Sequence, residues 1–307
     1  MVEINKLWRR SFNQLCSESP FWHSNNRFIC SLIVSLIISE TISAAAFVNL
    51  PGQLRFSLST SRQKTTDIVY QNSNTNALED NAELQQQSTR VALALGILQN
   101  IEINGELNYQ SVNSNEGIIK SSQGLSDFGV GFKKMSDFAP YYAAISAAYL
   151  GPASSYNASS RNPDSGKSGS YIIGVTGTHL KKSDFLHLTN LDYFYLLRSG
   201  QGNYNQHRFS LSHYLDFNSV GLGVFLGSLV NEGGYDYSSN DYLQWYLSDK
   251  PWGSIDERYY FGGVSLYYKN KNDVFLLNYS KKLPYQIKNA LPSYSIEVGY
   301  NFNFFVY

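Results

Sequence analysis

After residue 46, apolar residues alternate with small or polar ones along most of the chain. Val91, Leu93 and Leu95 alternate with alanine and glycine, and Ile103 and Leu107 continue the pattern among polar residues. Successive side chains of a β-strand point to opposite faces, so each segment has one apolar and one polar face. The pattern predicts about twelve strands. Further apolar stretches begin at Leu54, Phe128, Tyr141, Tyr171, Leu191, Phe209, Val220, Tyr260, Phe275 and Tyr294.

The register of the first clear hairpin follows from which odd or even positions share a face of each strand. A three-residue loop, Leu98 to Asn100, keeps the apolar faces of both strands together, whereas a two-residue loop mixes them. The expected pairs are Ile97 with Ile101, Leu95 with Ile103, Val91 with Leu107 and Ala92 with Glu106.

Short and long connections alternate between these segments. This layout, with an even number of strands, is typical of an up-and-down transmembrane β-barrel whose short turns face the periplasm and whose long loops face outward. The short connections are 98–100, 133–140, 181–184, 216–219 and 270–273, and the long ones are 62–87, 110–125, 151–169, 198–204, 231–257 and 282–292. A secreted β-sandwich also alternates, but aromatic residues at strand margins, as in 259–261 and 267–268, favour interfacial girdles and therefore a barrel.

An uncharged apolar run, Phe28 to Ile38, precedes the first strand and is followed by alanines ending at Ala46. The run is too short to span a bilayer as a helix but suits the core of a signal peptide. We interpret 1–46 as a cleaved signal with an extended polar leader, and 47–307 as the barrel domain. A buried core helix is the alternative.

The composition excludes several classes of function. Charged residues make up 16% of the chain and aromatic residues 15%, with 24 basic against 24 acidic side chains. Without net charge there is no bulk attraction for nucleic acid, so no nucleic-acid partner is expected. Cys16 and Cys30 both lie in the predicted signal, which leaves no thiol for disulfides, catalysis or metal binding. No cofactor is expected.

The C-terminal strand carries a motif. Glu297, Gly299, Phe302 and Phe304 resemble the signal that the outer-membrane barrel-assembly machinery reads, and the chain ends on the aromatic Tyr307. The resemblance implies a Gram-negative outer membrane as destination, with outer-membrane lipid and the assembly machinery as partners. An ordinary aromatic edge strand is the alternative.

A second resemblance concerns the segment Gly124 to Lys133 (GLSDFGVGFK) and the start of the predicted mature chain, Phe47 to Leu54. Both resemble strands of the outer-membrane transporter family named after the meta-pathway of phenol degradation, the second being the opening of its first strand. Ser126 stands where that family usually has glycine. The resemblance implies passage of small, often aromatic or hydrophobic molecules across the outer membrane.

Catalysis and metal binding have little support. Barrel lipid hydrolases need His and Ser on one strand face, and 47–307 contains no His-x-Ser triplet. His187 and Thr189 have the right parity, but nothing marks the threonine as activated. The histidines form no ligand cluster with carboxylates, so we expect neither an enzyme nor a metal site.

If the apolar faces meet lipid, six charged side chains point inward as candidates for lining a pore. They are Arg55, Arg90, Glu102, Glu106, Arg208 and Glu297. Such charges form either ion-paired struts or a polar path for a solute, since twelve strands lie between filled small barrels and open porins. We therefore predict an outer-membrane transporter or narrow channel for small solutes. A structural or adhesive barrel acting through its outer loops, and a barrel lipid hydrolase, are the alternatives.

Overall fold

The computed structural model describes residues 46–65, 67–69, 75–77, 84–114, 122–153, 169–199, 204–234, 258–270, 272–288 and 293–306. These residues form only β-strands and their connections. The strands are β1 (Gln53–Thr65), β2 (Asp67–Val69), β3 (Thr75–Ala77), β4 (Leu84–Leu98), β5 (Ile101–Ser114), β6 (Ser122–Phe138), β7 (Tyr141–Pro152), β8 (Ser170–Lys182), β9 (Leu186–Arg198), β10 (Gln206–Asp216), β11 (Val220–Asn231), β12 (Arg258–Asn270), β13 (Asp273–Lys288) and β14 (Ser293–Phe305).

Twelve of these strands form a closed antiparallel barrel, which confirms the predicted fold class. From β4 to β14 each strand pairs with its neighbour in the chain, and β1 closes the ring between β14 and β4. The short strands β2 and β3 form a separate hairpin between β1 and β4. Closure pairs both edges of every barrel strand, as a bilayer requires. No helix among the described residues is long and apolar enough to cross a membrane.

The hairpin of β4 and β5 follows the expected register except at its tip. Val91 faces Leu107 and Leu95 faces Ile103, as predicted. The prediction that Ile97 pairs with Ile101 is wrong, because Leu98 takes that position and the ladder shifts between Gly96 and Leu98. The turn is therefore two residues long. A bulge at Ile97 absorbs the extra residue and restores the parity that a two-residue loop would otherwise break.

The two faces of the barrel have inverted polarity relative to a water-soluble protein. Outward-facing side chains are mainly apolar and exposed, Leu93 at 47% and Val224 at 57% among them. Inward-facing side chains are mainly polar and buried, and Asn190 and Asp192 are fully so. An exposed apolar belt around a closed barrel is stable only in contact with lipid. The outer face therefore defines the membrane-facing surface.

Not every marginal aromatic residue belongs to an outer girdle. Tyr260 and Tyr268 are exposed on the outer face as expected, but Tyr267 points inward and is only 1% exposed. Its ring covers Gly221, where a Cβ atom would lie 1.9 Å from the ring carbon Cζ. Parity separates neighbouring tyrosines, so one of each adjacent pair fills the interior.

The barrel has two different ends. The turns at 99–100, 139–140, 183–185 and 217–219 lie at one end, called here the short-turn end, where β1 begins and β14 finishes. The other end carries the longer connections, and most of loop 231–257 lies outside the described residues. The interior at the short-turn end contains an apolar cluster of Phe47, Leu188, Tyr214, Tyr267, Val274 and Leu276.

Candidate functional site in the barrel lumen

Most of the described residues that precede β1 lie inside the barrel. Residues 46–50, called here the N-terminal segment, enter the lumen at the short-turn end. Ala46 and Asn49 are fully buried there, and Phe47 and Val48 nearly so. The first predicted apolar stretch, from Leu54, lies in β1, which begins at Gln53, so the part of the family-like stretch that starts at Phe47 precedes the strand. The backbone turns between them at Pro51 and Gly52, and such a pair interrupts a strand.

Glu102 anchors one side of the segment. Its Oε2 accepts a hydrogen bond from the backbone N–H of Asn49 at 2.9 Å, and its Oε1 lies 3.2 Å from Nη2 of Arg55. Both charged side chains are buried in the lumen wall. Asn49 also donates from Nδ2 to the carbonyl of Ala94 in β4. Two of the predicted inward charges thus form a buried ion pair whose carboxylate also holds the N-terminal segment.

Lys133 anchors the other side. Its Nζ donates to the carbonyl oxygen of Phe47 at 2.8 Å, and the ring of Phe47 packs on Tyr142 with centroids 4.8 Å apart. The backbone N–H of Ala46 donates to Oγ1 of Thr178 at 2.8 Å. Lys133 is the last residue of the GLSDFGVGFK segment and sits at an inward position of β6. The sequence pattern places Lys133 in a predicted turn, 133–140. In the structure β6 continues to Phe138, because the alternation of Val130 and Phe132 extends through Lys133.

The segment approaches β4 so closely that a side chain would not fit. A Cβ atom on Gly96 would lie 2.1 Å from the carbonyl oxygen of Leu50. The backbone N–H of Gly52 donates to the carbonyl of Gly96 at 2.8 Å, and Pro51 bridges the same residue. Glycine at position 96 is therefore what lets the segment lie against the wall.

The other four predicted inward charges also lie on the inner face. Arg90 and Glu106 form an ion pair, with Nε 2.9 Å from Oε2, and their side chains are about one fifth exposed (23% and 20%). Glu297 accepts a hydrogen bond from Asn278 at 3.2 Å. Arg208 donates to Gln206 at 2.7 Å. The structure thus joins four of the six residues in two ion pairs, and the role of all six in lining a solute path remains a prediction.

Two further features of the lumen were not predicted. Asp216 and Lys269 form a buried ion pair near the short-turn end. Nearer the long-connection end, β7, β8 and β9 present an apolar patch to the interior. It comprises Ala148, Leu150, Ile172 and Leu196, with Phe194 packed against it. The alternation of these residues predicts strands but does not show which face points inward. The burial of the apolar patch together with its polar neighbours identifies the inner face.

The outer face carries a threonine–histidine pair relevant to catalysis. Oγ1 of Thr189 lies 2.8 Å from Nδ1 of His213. No carboxylate in the described part of the chain is hydrogen-bonded to His213, so its imidazole lacks the third group that orients a catalytic base. Nor does any group of three potential metal ligands occur among the described residues.

A second histidine does meet a carboxylate. His207 contacts Glu232 through Nε2 at 2.9 Å, while its Nδ1 meets the phenol of Tyr193. Hydrogen bonds from Asn205 and Tyr195 lower the pKa of Glu232 below its usual range. The partner of the imidazole is thus a tyrosine rather than a serine or threonine, and the absence of enzymatic activity remains a prediction.

The C-terminal motif divides between the two faces of β14. Phe304 is exposed on the outer face with Phe302 beside it, whereas Gly299 is buried on the inner face. Tyr307 lies outside the described residues.

A closed barrel with an apolar exterior and a polar interior defines a bacterial outer-membrane β-barrel protein. No protein-family model matches the chain, and no curated protein matches its sequence. In structure it is similar to an outer membrane channel from Pseudomonas putida F1, with 10% identity, a TM-score of 0.63 and coverage of 87% of this chain and 100% of that chain.

Two weaker similarities involve other barrels. The translocator domain of the autotransporter NalP from Neisseria meningitidis is 12% identical with a TM-score of 0.47, covering 91% of this chain and 94% of that one. The NanC porin is 11% identical with a TM-score of 0.47, covering 80% and 98%. These likenesses concern the fold. The resemblance to the meta-pathway transporter family stays a prediction.

Proposed function

We propose that this protein is an outer-membrane channel or transporter for small solutes, and that the N-terminal segment narrows its lumen at the short-turn end. The carrying observation is that the N-terminal segment, which precedes β1 and is not part of the barrel wall, lies buried inside the barrel. Four short polar contacts and one ring contact hold it, through Glu102, Ala94, Lys133, Thr178 and Tyr142. A barrel acting only through outer loops needs no such detachable closure.

Partial exposure inside the barrel supports a hydrated path above the segment. The Arg90 and Glu106 side chains retain about one fifth of their accessible surface although they face the interior. A charged lumen with low-dielectric walls acts on any ion that passes. Replacing Glu106 should therefore change the preference for cations over anions.

Aromatic or hydrophobic compounds are the substrate class that we propose. Phe194, which packs on the buried cluster around Ile172 and Leu196 and is itself only partly buried, offers an inward-facing ring on which an apolar solute loses contact with water. The resemblance of the GLSDFGVGFK segment points to the same class.

The test is flux through the purified protein in liposomes and planar bilayers, with and without residues 47–50. We expect small-solute flux and small currents in the full chain, and larger ones after deletion. Phe194→Gln should lower the flux of an aromatic solute more than the ion current, and Phe194→Met, which keeps the surface apolar, should change both much less. If neither chain exceeds protein-free membranes, the structural or adhesive alternative replaces the channel.

A further inference from the structure

A group of buried amide side chains lines the inner face where β14 meets β1, at the short-turn end. Among the described residues, neither amide atom of Asn303 has a hydrogen-bond partner, nor does Oδ1 of Asn301. The same is true of Nε2 of Gln53 and Oδ1 of Asn49. All four side chains are at most 2% exposed. A buried amide atom without a partner has lost water and gained nothing in return, so a cluster of them needs a ligand that both donates and accepts.

These amides form one neighbourhood. Asn303 is paired with Arg55 across the β1–β14 ladder, and Gln53 lies two residues before Arg55 on the same face. Asn49 donates to the carbonyl of Ala94, which is the partner of Arg55 in β4. The cluster therefore includes Asn49 of the N-terminal segment and continues from it onto β1 and β14.

The inner face above the cluster is lined by small side chains. Asn301 is paired with Ser57, and Gly299 with Ser59. Ser57, Ser59 and Glu297 are only partly buried, so solvent reaches this depth of the lumen. From here to the short-turn end, the unpartnered amides continue the polar surface.

The opposite wall is different. Asn190 on β9 is also fully buried, but its Oδ1 accepts from Thr178 at 2.8 Å and its Nδ2 donates to Ser212 at 3.2 Å. Buried amides can therefore find partners within this barrel, and a group of several unpartnered amide atoms at β14 and β1 calls for an explanation of its own.

We propose that a file of water molecules occupies this seam, and that the barrel conducts water past the seated N-terminal segment. Water supplies the donors and acceptors that the four amides lack, and a buried water typically makes about three hydrogen bonds. Arg55 and Glu102 beside the file neutralise each other as an ion pair, so an ion entering the seam would lose hydration without a compensating net charge, and the seam should favour uncharged molecules. This water path is a property of the closed barrel and goes beyond solute transport.

Stopped-flow light scattering on proteoliposomes under an osmotic gradient tests the proposal with the full chain. Water permeability should exceed that of protein-free vesicles, and Asn303→Leu and Asn301→Leu should each lower the protein-dependent part on the order of fivefold, the factor for about one net hydrogen bond. Asn190→Leu is the matched control and should leave permeability unchanged. No excess permeability in the parent protein, or equal loss in the control, overturns the water file.

Two further measurements keep the test decisive. Because Asn301 and Asn303 lie in the C-terminal strand, Gln53→Met repeats the experiment from β1 if either variant fails to insert, as judged by heat-modifiable migration on gels. Proton and solute fluxes are recorded in the same vesicles. Water permeability without solute flux supports the file and counts against the channel proposal, whereas solute flux without seam-dependent water permeability overturns the file alone. Proton flux through the parent protein would overturn a path selective for water.

Discussion

Glu102→Gln should loosen the N-terminal segment while leaving the barrel intact. Glu102 is 1% exposed and its carboxylate serves two groups, the backbone N–H of Asn49 and the guanidinium of Arg55. Glutamine has nearly the same shape and retains one acceptor oxygen. The substitution therefore removes charge without opening a cavity.

The expected change in free energy depends on which contacts of Glu102 exist only while the N-terminal segment lies in the lumen. The Arg55 contact lies within the wall and persists whether the segment is seated or released, so it cancels from that equilibrium. The Asn49 contact exists only when the segment is seated. A hydrogen bond to a charged group contributes about 1.5 to 3 kcal/mol and a neutral one about 0.5 to 1.5. The loss is therefore about 1 kcal/mol, which corresponds to a roughly fivefold larger released population.

Cysteine labelling measures this population, because the predicted mature chain contains no cysteine. Val48→Cys places a thiol within the buried segment, and its reaction rate with a polar maleimide reports how often the segment leaves the lumen. Glu102→Gln should raise the rate about fivefold. Glu106→Gln, on the same strand but paired with Arg90 rather than with the segment, should leave it within about twofold. Equal rates in the two variants would refute the role assigned to Glu102.

Three other outcomes are expected. Gly96→Val should expel the segment, because even a Cβ atom would meet the Leu50 carbonyl oxygen at 2.1 Å; unchanged Val48→Cys labelling in this background would contradict it. Leu93→Arg, at an outward position, should cost about 2 to 4 kcal/mol in a urea folding titration if it lies near the bilayer midplane; a cost near zero would argue against lipid contact there. Removing 302–307 should abolish membrane insertion, because β1 and β13 would lose pairing partners in lipid, and normal membrane yield would contradict the proposed assembly signal.

The strands and their faces were predictable because both depend on local parity. A strand alternates regardless of its neighbours, so Leu93 and Glu106 could be assigned to opposite faces from residue order alone. The closed barrel followed from the strand number and the alternation of connection lengths. The tip of the β4–β5 hairpin differed, because a bulge can absorb a residue without changing the parity of either strand. The end of β6 also differed, since the strand continues to Phe138 through the turn predicted at 133–140.

The sequence predicted which side chains point into the lumen but not which contacts they make there. Parity places Arg55 and Glu102 inside, yet their pairing depends on the stagger of β1, β4 and β5 around the ring. The position of Lys133 opposite the Phe47 carbonyl depends on the same stagger together with the path of the incoming chain.

The sequence by itself determined the strands, their inward and outward faces and the membrane destination, since these rest on period-two patterning and on motifs read along the chain. Only the tertiary structure decided that residues 46–50 lie inside the lumen and that Gly96 makes room for them. It also decided that both amide atoms of Asn303 and Oδ1 of Asn301 have no hydrogen-bond partner among the described residues. The physical reason is that barrel closure brings residues far apart in the chain into one enclosed space. Their contacts depend on the shear and diameter of the ring, which no local pattern encodes.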